Sequence, residues 1–326
     1  MNILVTGGAG YIGSFMTKKL LQEGHNVIVV DNLERGHKEV IDSQAKFIEG
    51  DLRDKDFVNH LFEANKFDAV IHFAAFISMG ESMVEPGLYF TNNVIPAINI
   101  LEAMQAFGVN KIIFSSTAGV YGNPKTVPIP EDHPKNPTNP YGESKLMIER
   151  ILKWYHKIFQ INYVVLRYFN ACGASLDGEM GEMHNPESHI IPNAMHSLLA
   201  NQKFILFGTD YKTKDGTCVR DYIHVIDLVQ AHVLALKKIS DTNGGFVYNV
   251  GTGSGYSNQE VISMIEEVSG RNLVVERSTR RPGDADTLIA DASKIKKELN
   301  FTPVHSDLKT IIVSAWNWHK KEFNAQ

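Results

Sequence analysis

The chain has 326 residues, of which 43% are hydrophobic, so it is long enough to bury a large core and to divide into a cofactor half and a substrate half. Its formal net charge of -5 argues against a surface that attracts nucleic acid or an anionic membrane. Two cysteines, Cys172 and Cys218, are too few for a secreted disulfide framework. We therefore expect reduced thiols and a cytoplasmic protein, with neither a leader sequence nor an apolar stretch of the roughly 20 residues that a membrane span needs.

The first half of the chain alternates between short runs rich in β-branched residues and longer helical segments. Strands are predicted at residues 3–5, 27–30, 69–73, 111–115 and 163–167, and helices at residues 11–23, 92–107 and 142–158. Such βαβ spacing is typical of parallel strands joined by right-handed helical crossovers. The sequence therefore predicts an α/β fold with a Rossmann-like, doubly wound parallel sheet whose ligands bind at the carboxyl ends of the strands.

The βαβ pattern loosens after Asn170 into glycine-rich and polar sequence that continues to Asn185. We place the domain change there, which predicts an NAD-binding domain over residues 1–172 and a smaller, mixed C-terminal substrate domain over residues 173–326. A helical segment at 225–237 and a strand at 246–250 could return to the first domain, so the division need not be a single cut.

A glycine-rich turn follows the first predicted strand and opens the first predicted helix. The residues of this turn that we expect at a pyrophosphate are Gly7, Gly10, Tyr11, Ile12 and Gly13. Small residues there let backbone amides and the helix N-terminus approach the phosphates. Asp31 ends the second strand, where its carboxylate can accept hydrogen bonds from an adenosine ribose. Because this anion would repel the additional phosphate of NADP, the motif predicts NAD as the cofactor.

Two further strand ends contribute candidates for the same cofactor site. Asp51 and Leu52 end a further short β-rich run between the strands at 27–30 and 69–73, where they would frame the adenine, although an aspartate at a strand end is also a common turn former. Phe73 and Ala74 lie at the end of the strand at 69–73, beside the expected path of the cofactor, but core packing uses the same residue types. The residues alone leave both alternatives open.

The segment Tyr-Gly-Glu-Ser-Lys places Tyr141 and Lys145 on one face of a predicted helix. A free phenol has a pKa near ~10, so it becomes a base at neutral pH only where positive charge stabilises the phenolate. A Lys145 ammonium and an oxidised nicotinamide would provide that charge, and the lysine could also donate to the nicotinamide ribose. Thr117, at the end of a predicted strand, could hydrogen-bond the reacting sugar oxygen and pass its proton to Tyr141. This tyrosine–lysine spacing is common on helix surfaces, but the nucleotide loop favours the catalytic interpretation.

These motifs, in this order, resemble the extended short-chain dehydrogenase/reductases, and among them most closely the UDP-glucose 4-epimerases. The resemblance extends from residues 7–13 to the Arg-Pro-Gly-Asp segment at 281–284 and the Ala-Asp-Ala-Ser segment at 290–293. It implies that Thr117, Tyr141 and Lys145 form the catalytic group. The cofactor site would then include Asp31, Asn32, Asp51, Asn92 and Tyr168, and we assign Ser115, Tyr141 and Lys145 to it as well.

The resemblance also implies a site for a UDP-sugar. Its expected residues are Asn170, His189, Phe207, Arg220, Arg281, Asp284 and Leu288, together with Thr117 and Tyr141. Arg220 and Arg281 can meet phosphate oxygens with a planar fork of donors, whereas an ordinary surface salt bridge is the alternative for either. A helix cap or a core position would explain His189 equally well. The 13 histidines show no convincing zinc spacing, so we expect no metal.

The implied activity is the interconversion of UDP-glucose and UDP-galactose through a transient 4-keto sugar, with NAD retained as a prosthetic group. Two positions depart from the pattern. Ile77 stands where some relatives have a lysine, which removes one cofactor contact. Leu288 stands where some have a tyrosine that closes the sugar pocket, so we expect UDP-N-acetylhexosamines to fit, unless this leucine is only a core residue.

The same residues bear on other functions of this fold. A 4,6-dehydratase needs a further acid/base pair, and Ala118 and Gly119, which follow Thr117, cannot transfer a proton. A UDP-glucuronate epimerase or decarboxylase stays open, whereas the presence of Tyr141 and Lys145 disfavours a non-catalytic dinucleotide-sensing protein. Helices 92–107 and 142–158 could pair with the same helices of a second chain and form a homodimer, or their apolar faces could be buried within one chain. We predict the homodimer.

Overall fold

A computed structural model describes residues 1–281 and 284–325. The strands are β1 (Asn2–Thr6), β2 (Asn26–Asp31), β3 (Lys46–Glu49), β4 (Ala69–His72), β5 (Lys111–Thr117), β6 (Asn162–Tyr168), β7 (Asn170–Cys172), β8 (Phe204–Phe207), β9 (Val219–Arg220), β10 (Tyr222–His224), β11 (Gly245–Val250), β12 (Tyr256–Ser257), β13 (Val275–Ser278) and β14 (Thr287–Leu288). The helices are α1 (Tyr11–Gln22), α2 (Lys55–Ala64), α3 (Met79–Val84), α4 (Pro86–Phe107), α5 (Pro140–Phe159), α6 (Ile190–Leu199), α7 (Val225–Asp241), α8 (Asn258–Ser269), α9 (Ser293–Leu299) and α10 (Leu308–Ala325). Short 3-10 helices lie at Lys38–Val40 and Ala118–Tyr121.

The largest sheet has seven strands in the order β11-β6-β5-β4-β1-β2-β3. Strand β1 pairs in parallel with β2 on one side and β4 on the other, so that Val5 lies opposite both Val29 and Ile71. The chain winds outward in one direction from β1 to β3 and in the other from β4, which makes the β1–β4 gap the switch point of the sheet. This arrangement confirms the predicted doubly wound α/β fold.

The chain forms two compact units that interleave along the sequence. The first unit comprises residues 1–122, 135–167 and 229–248, and the second comprises residues 123–134, 168–228 and 249–326. Smaller sheets occur in the second unit, including the mixed sheet β12-β9-β14, in which β9 pairs antiparallel with β12 and parallel with β14. Strand β11, predicted near 246–250, takes the outer position of the large sheet.

Each unit has its own hydrophobic core. In the first, apolar side chains of β1, β4 and β5 pack with those of α2, α4 and α5. In the second, α6, α8 and α10 pack around Met195, Ile262 and Ile311, which are at most 1% exposed. Burying such side chains contributes about 1.5–3 kcal/mol each. Both units can therefore hold side chains on rigid elements.

The predicted strands and helices of the first half lie where the sequence indicated, apart from their ends. Helix α4 begins at Pro86, earlier than the predicted residue 92, because proline is favoured in a first helical turn, where its missing N–H has no partner to lose. Helix α5 buries Leu146, Ile148 and Leu152 on its apolar face, as its periodicity indicated. Over the described ranges, no helix combines the length and the apolar character needed to cross a membrane.

Candidate active site

The glycine-rich turn after β1 is too tightly packed to accept a side chain at Gly7 or Gly13. Gly7 has a φ of +70°, and a Cβ on it would lie 2.6 Å from the Ala74 nitrogen. A Cβ on Gly13 would lie 2.2 Å from the Gly7 carbonyl oxygen. These contacts bring the turn against the end of β4, at the switch point of the sheet, with the N-terminus of α1 beginning at Tyr11. The positive end of the α1 helix dipole makes the end of this turn suitable for a pyrophosphate.

Asp31, at the end of β2, is hydrogen-bonded to the same turn. Its carboxylate accepts hydrogen bonds from the Ala9 amide at 3.0 Å and from the Leu33 amide at 2.9 Å. Burial raises the pKa of Asp31 and the two amides act in the opposite direction. The carboxylate is therefore held in a defined orientation beside the glycine turn, as recognition of a ribose requires.

Asp51 and Asn32 are neighbours, because their side chains are hydrogen-bonded. Asp51 also forms an ion pair with Arg53, with an Nη2–Oδ2 distance of 2.6 Å, and this contact lowers the pKa of Asp51. Leu52, which lies between Asp51 and Arg53 in the sequence, is buried. Arg53 contacts Glu34 as well, at 3.1 Å. The sequence interpretation of Asp51 did not include this arginine, which keeps the carboxylate ionised beside the predicted adenine position.

The remaining predicted cofactor residues follow β4 or lie on α4 and β6. Phe73 packs on the ring of His232, with a centroid distance of 4.9 Å, whereas the backbone of Ala74 touches the glycine turn. Asn92, on α4, donates to the side chain of Asn93 at 3.2 Å. Tyr168 is the last residue of β6 and falls in the second unit.

Tyr141 lies in the first turn of α5, whose start is fixed by a side-chain cap. The Asn139 side chain accepts a hydrogen bond from the Gly142 amide at 2.8 Å. Gly142 packs directly on the segment after β5, since a Cβ on it would lie 2.7 Å from the Gly119 carbonyl oxygen. This close approach places the Tyr141 hydroxyl in a hydrogen bond with the side chain of Thr117. The two hydroxyls are therefore close enough for a proton to pass between them.

Lys145, one turn further along α5, is buried and 2% exposed. Its Nζ donates to the Ser115 carbonyl oxygen at 2.9 Å and lies 5.0 Å from the centre of the Phe114 ring. Burial lowers the pKa of Lys145 to about 7, and burial raises the pKa of Tyr141 to about 12, against the effect of the Thr117 hydrogen bond. Desolvation therefore opposes the ammonium form of Lys145 that the predicted proton transfer would use.

Asn93, next to the predicted Asn92, is a buried polar residue to which the sequence analysis assigned no role. Its buried side chain accepts from the Phe76 amide at 2.8 Å and donates to the Phe76 carbonyl at 3.1 Å. It also donates to Ser144 Oγ at 3.0 Å. Asn93 thus ties α4 and the segment after β4 to the turn of α5 that carries the tyrosine and lysine. A polar residue inside an apolar helix was the signal available in the sequence.

In the second unit, the predicted Arg220 and Asp284 contact each other. The closest Nη2–Oδ1 distance is 3.4 Å, and Arg220 Nη1 donates to the carbonyl oxygens of Ala285 and Val219 at 2.9 and 3.0 Å. Asp284 also accepts from the Tyr211 hydroxyl at 3.5 Å. These contacts hold the guanidinium and the carboxylate in fixed positions.

Other predicted substrate residues of this unit lie on neighbouring elements. Arg281 stacks its guanidinium on the Phe207 ring, 4.3 Å from the centroid. Leu288 lies opposite Arg220 in the β14–β9 pair and is only partly buried. Asn170 donates from Nδ2 to the Asp221 carbonyl oxygen at 3.0 Å. Of the Arg-Pro-Gly-Asp segment, Pro282 and Gly283 lie outside the described residues.

His189 is the N-cap residue of α6, but its side chain makes no capping bond. It is paired instead with the buried Glu182 carboxylate, which raises the pKa of His189 against the opposing effect of burial. The structure brings His184 and Glu187 to the same place. The sequence interpretation treated the histidines as scattered and missed this cluster, although Glu-x-His-x-x-Glu-x-His spacing was a usable signal.

Comparison with known proteins shows the family to which this chain belongs. The sequence model of the NAD dependent epimerase/dehydratase family matches residues 3–251. A UDP-glucose 4-epimerase from Lactobacillus helveticus is 47% identical over 321 residues, which cover 98% of this chain and 97% of the relative.

Two solved structures extend the similarity to the fold. The crystal structure of UDP-glucose 4-epimerase from Bifidobacterium longum in complex with NAD+ and UDP superposes with a TM-score of 0.94 at 39% identity, covering 100% of both chains. The UDP-Glc/GlcNAc 4-epimerase of Campylobacter jejuni superposes with a TM-score of 0.85 at 43% identity, covering 98% of this chain and 99% of the other. With a family match over most of its length and relatives this similar, the chain belongs to the NAD dependent epimerase/dehydratase family.

Proposed function

We propose that this protein is a UDP-glucose 4-epimerase that interconverts UDP-galactose and UDP-glucose and keeps NAD bound throughout the cycle. The observation that carries the proposal is the hydrogen bond between Tyr141 and Thr117, one helical turn from the buried Lys145. The similarity to enzymes of that name over nearly the whole chain supports it.

The chain's own residues account for the proton transfer at C4. Tyr141, through Thr117 or directly, removes the proton of the C4 hydroxyl and returns a proton when the opposite configuration forms. Lys145 holds the Ser115 carbonyl and orients the ribose next to the reacting ring. Burial raises the pKa of Tyr141 to about 12, so formation of the phenolate needs positive charge close to it.

The residues of the first unit fit NAD. The turn at residues 7–13, which is packed too closely for a Cβ at Gly7 or Gly13, leads into the N-terminus of α1, which can receive the pyrophosphate, and the oriented Asp31 carboxylate can accept hydrogen bonds from the ribose hydroxyls. When bound, NAD supplies the acceptor and donor of the C4 hydride together with the additional positive charge.

In the second unit, we assign the nucleotide of the substrate to the residues around Arg220. Arg220 and Arg281 are available to the diphosphate, Phe207 to the uracil ring and Asp284 to the uridine ribose. We assign Asn170 and His189 to the sugar or the diphosphate. Firm binding of the nucleotide combined with loose binding of the sugar lets the ring present either face, so that the configuration inverts without net oxidation.

We further propose that UDP-N-acetylglucosamine and UDP-N-acetylgalactosamine are interconverted. Leu288 is partly buried in the short strand opposite Arg220, and a leucine there occupies less volume than a tyrosine. A relative at 43% identity is described as a UDP-Glc/GlcNAc 4-epimerase, which supports this breadth.

A homodimer built on α4 and α5 belongs to the same proposal. These helices pack against each other, and Ile95, Trp154 and Ile158 on them are 40–61% exposed. Such apolar side chains are suited to an isologous interface. If sedimentation shows only monomer at the assay concentration, the proposed homodimer is wrong. We also propose a cytoplasmic location, with which the free thiols of Cys172 and Cys218 agree.

The test is incubation of purified protein with UDP-galactose and no added NAD, followed by chromatography of the nucleotide sugars. We expect UDP-glucose, and we expect denatured protein to release NAD. Turnover of UDP-glucuronate without turnover of UDP-galactose would favour a glucuronate epimerase or decarboxylase. Dinucleotide release without turnover of any UDP-sugar would favour a binding protein, and recovery of mainly NADP would reject the role of Asp31.

A further inference from the structure

We propose that Glu182, His184, Glu187 and His189 bind one divalent transition-metal ion of the zinc class. They lie in the second unit, in the segment between β7 and α6. The four side chains offer two carboxylate oxygens and two imidazole nitrogens, all within 4.8 Å of one another. The proposed function uses only His189 of this set, so the metal site is tested through His184 and Glu187, which that function does not use.

The spacing of the ligand atoms suits a small cation. His184 Nδ1 lies 2.8 Å from Glu182 Oε1 and 4.0 Å from Glu187 Oε2. His189 Nδ1 lies 3.9 Å from Glu187 Oε1 and contacts Glu182 Oε1. Ligands at zinc bond lengths in a tetrahedron are roughly 3.3 Å apart, so adjustments of less than about 1 Å would complete the coordination.

Glu187 supplies an independent indication that a cation belongs here. Its Oε1 is held by the backbone amides of Ser188 and His189, at 2.6 and 2.8 Å. Its Oε2 is buried and has no hydrogen-bond partner among the described residues, in a side chain that is 7% exposed. A buried carboxylate oxygen without a donor is unfavourable, and a metal ion at this point would satisfy it.

The segment is held rigidly enough to keep its ligands together. The Trp318 indole N–H, on α10, donates to the Glu182 carbonyl oxygen at 3.2 Å. A Cβ on Gly181 would lie 2.3 Å from that indole, so the backbone packs directly on it. At the other end, His189 begins α6. Both ends of the cluster are therefore fixed by helices before any ion binds.

The chemistry of the donors selects the ion. Two carboxylates and two neutral imidazoles carry a formal charge of about -2, which one divalent ion balances. Magnesium and calcium prefer oxygen ligands alone, and copper(I) prefers sulfur, whereas zinc readily takes histidine nitrogen with carboxylate oxygen. Four protein ligands leave no open position, so the site would be structural and would fix the segment before α6. The competing arrangement is a set of histidine–glutamate ion pairs with no metal.

Metal binding to the full chain distinguishes these arrangements. Protein freed of metal with a chelator is titrated with ZnCl₂ by calorimetry and with Co²⁺ by visible absorption, without UDP-sugar. We expect one Zn²⁺ per chain, tetrahedral Co²⁺ bands, and a higher melting temperature with the ion. Glu187→Gln and His184→Asn should each weaken Zn²⁺ binding at least 100-fold. His196→Asn, a nearby histidine outside the cluster, should bind as the wild type does.

Circular dichroism without metal establishes whether each variant is folded, and comparison of two substitutions guards against one that fails to fold. Absence of saturable binding by the wild type would overturn the proposal in favour of ion pairs only. Equal binding by the wild type, Glu187→Gln and His184→Asn would identify an adventitious ion only. Because the readout is metal affinity, failure of the epimerase assay leaves this test unaffected.

Discussion

Gly142 offers a sharp test of the idea that backbone packing places Tyr141 for catalysis. In Gly142→Ala, the new Cβ would lie 2.7 Å from the Gly119 carbonyl oxygen. An ordinary carbon–oxygen contact begins near ~3.3 Å, so α5 must move away by about 0.6 Å. Since the oxygen belongs to backbone, no side-chain rotation can relieve the clash.

The displacement should separate Tyr141 from Thr117 and lower turnover of UDP-galactose by roughly 10- to 100-fold, the scale expected for misplacement of a catalytic group. Overpacking should reduce the free energy of unfolding by about 1–3 kcal/mol, less the gain of about 1 kcal/mol from alanine's helix propensity. The measurements are kcat from the chromatographic assay and urea unfolding followed by circular dichroism.

Gly87→Ala is the matched control, because Gly87 is also in the first turn of a helix and its added Cβ would meet nothing within 4 Å. We expect normal kcat and a stability equal to or slightly above that of the wild type. Wild-type kcat in a folded, NAD-loaded Gly142→Ala would refute the reasoning. Equal losses in both variants would show that the close contact is not the cause.

Three other predictions concern named side chains. Tyr141→Phe should fold and retain nucleotide but lose roughly 10²-fold or more in kcat, the scale of a positioned acid/base, and near-normal epimerisation would exclude the role. Because burial lowers the pKa of Lys145 from 10.5 to about 7, the unfolded chain binds more protons between those values. From pH 7 toward pH 10, the free energy of unfolding should therefore rise more in the wild type than in Lys145→Met, by up to ~1.4 kcal/mol per pH unit. If urea unfolding shows a difference between the two proteins that does not change with pH, the prediction is contradicted. Leu288→Tyr should selectively remove turnover of the UDP-N-acetylhexosamines while the hexose reaction survives. Equal loss of both reactions would indicate general damage, and no N-acetylhexosamine turnover by an active wild type would end that proposal.

The sequence determined the fold class and the glycine turn because both are local in origin. Hydrophobic periodicity and βαβ spacing act over a few residues at a time, and they located the strands that end at Asp31 and Thr117 and the strand that leads into the turn at Gly7. Tyr141 and Lys145 could be predicted together for the same reason, since residues four apart share a helix face.

Tertiary structure decided which of those residues meet and in what environment. The approach of Gly142 to Gly119 joins elements that are separated along the chain, and no local pattern reports it. Burial, which lowers the pKa of Lys145, likewise depends on what covers the side chain. The interleaving of the two units along the sequence is decided by long-range packing in the same way. Hydrophobic periodicity could not predict the pairing of Glu182 with His189. Contacts between loop residues depend on the elements that hold the loop at both ends.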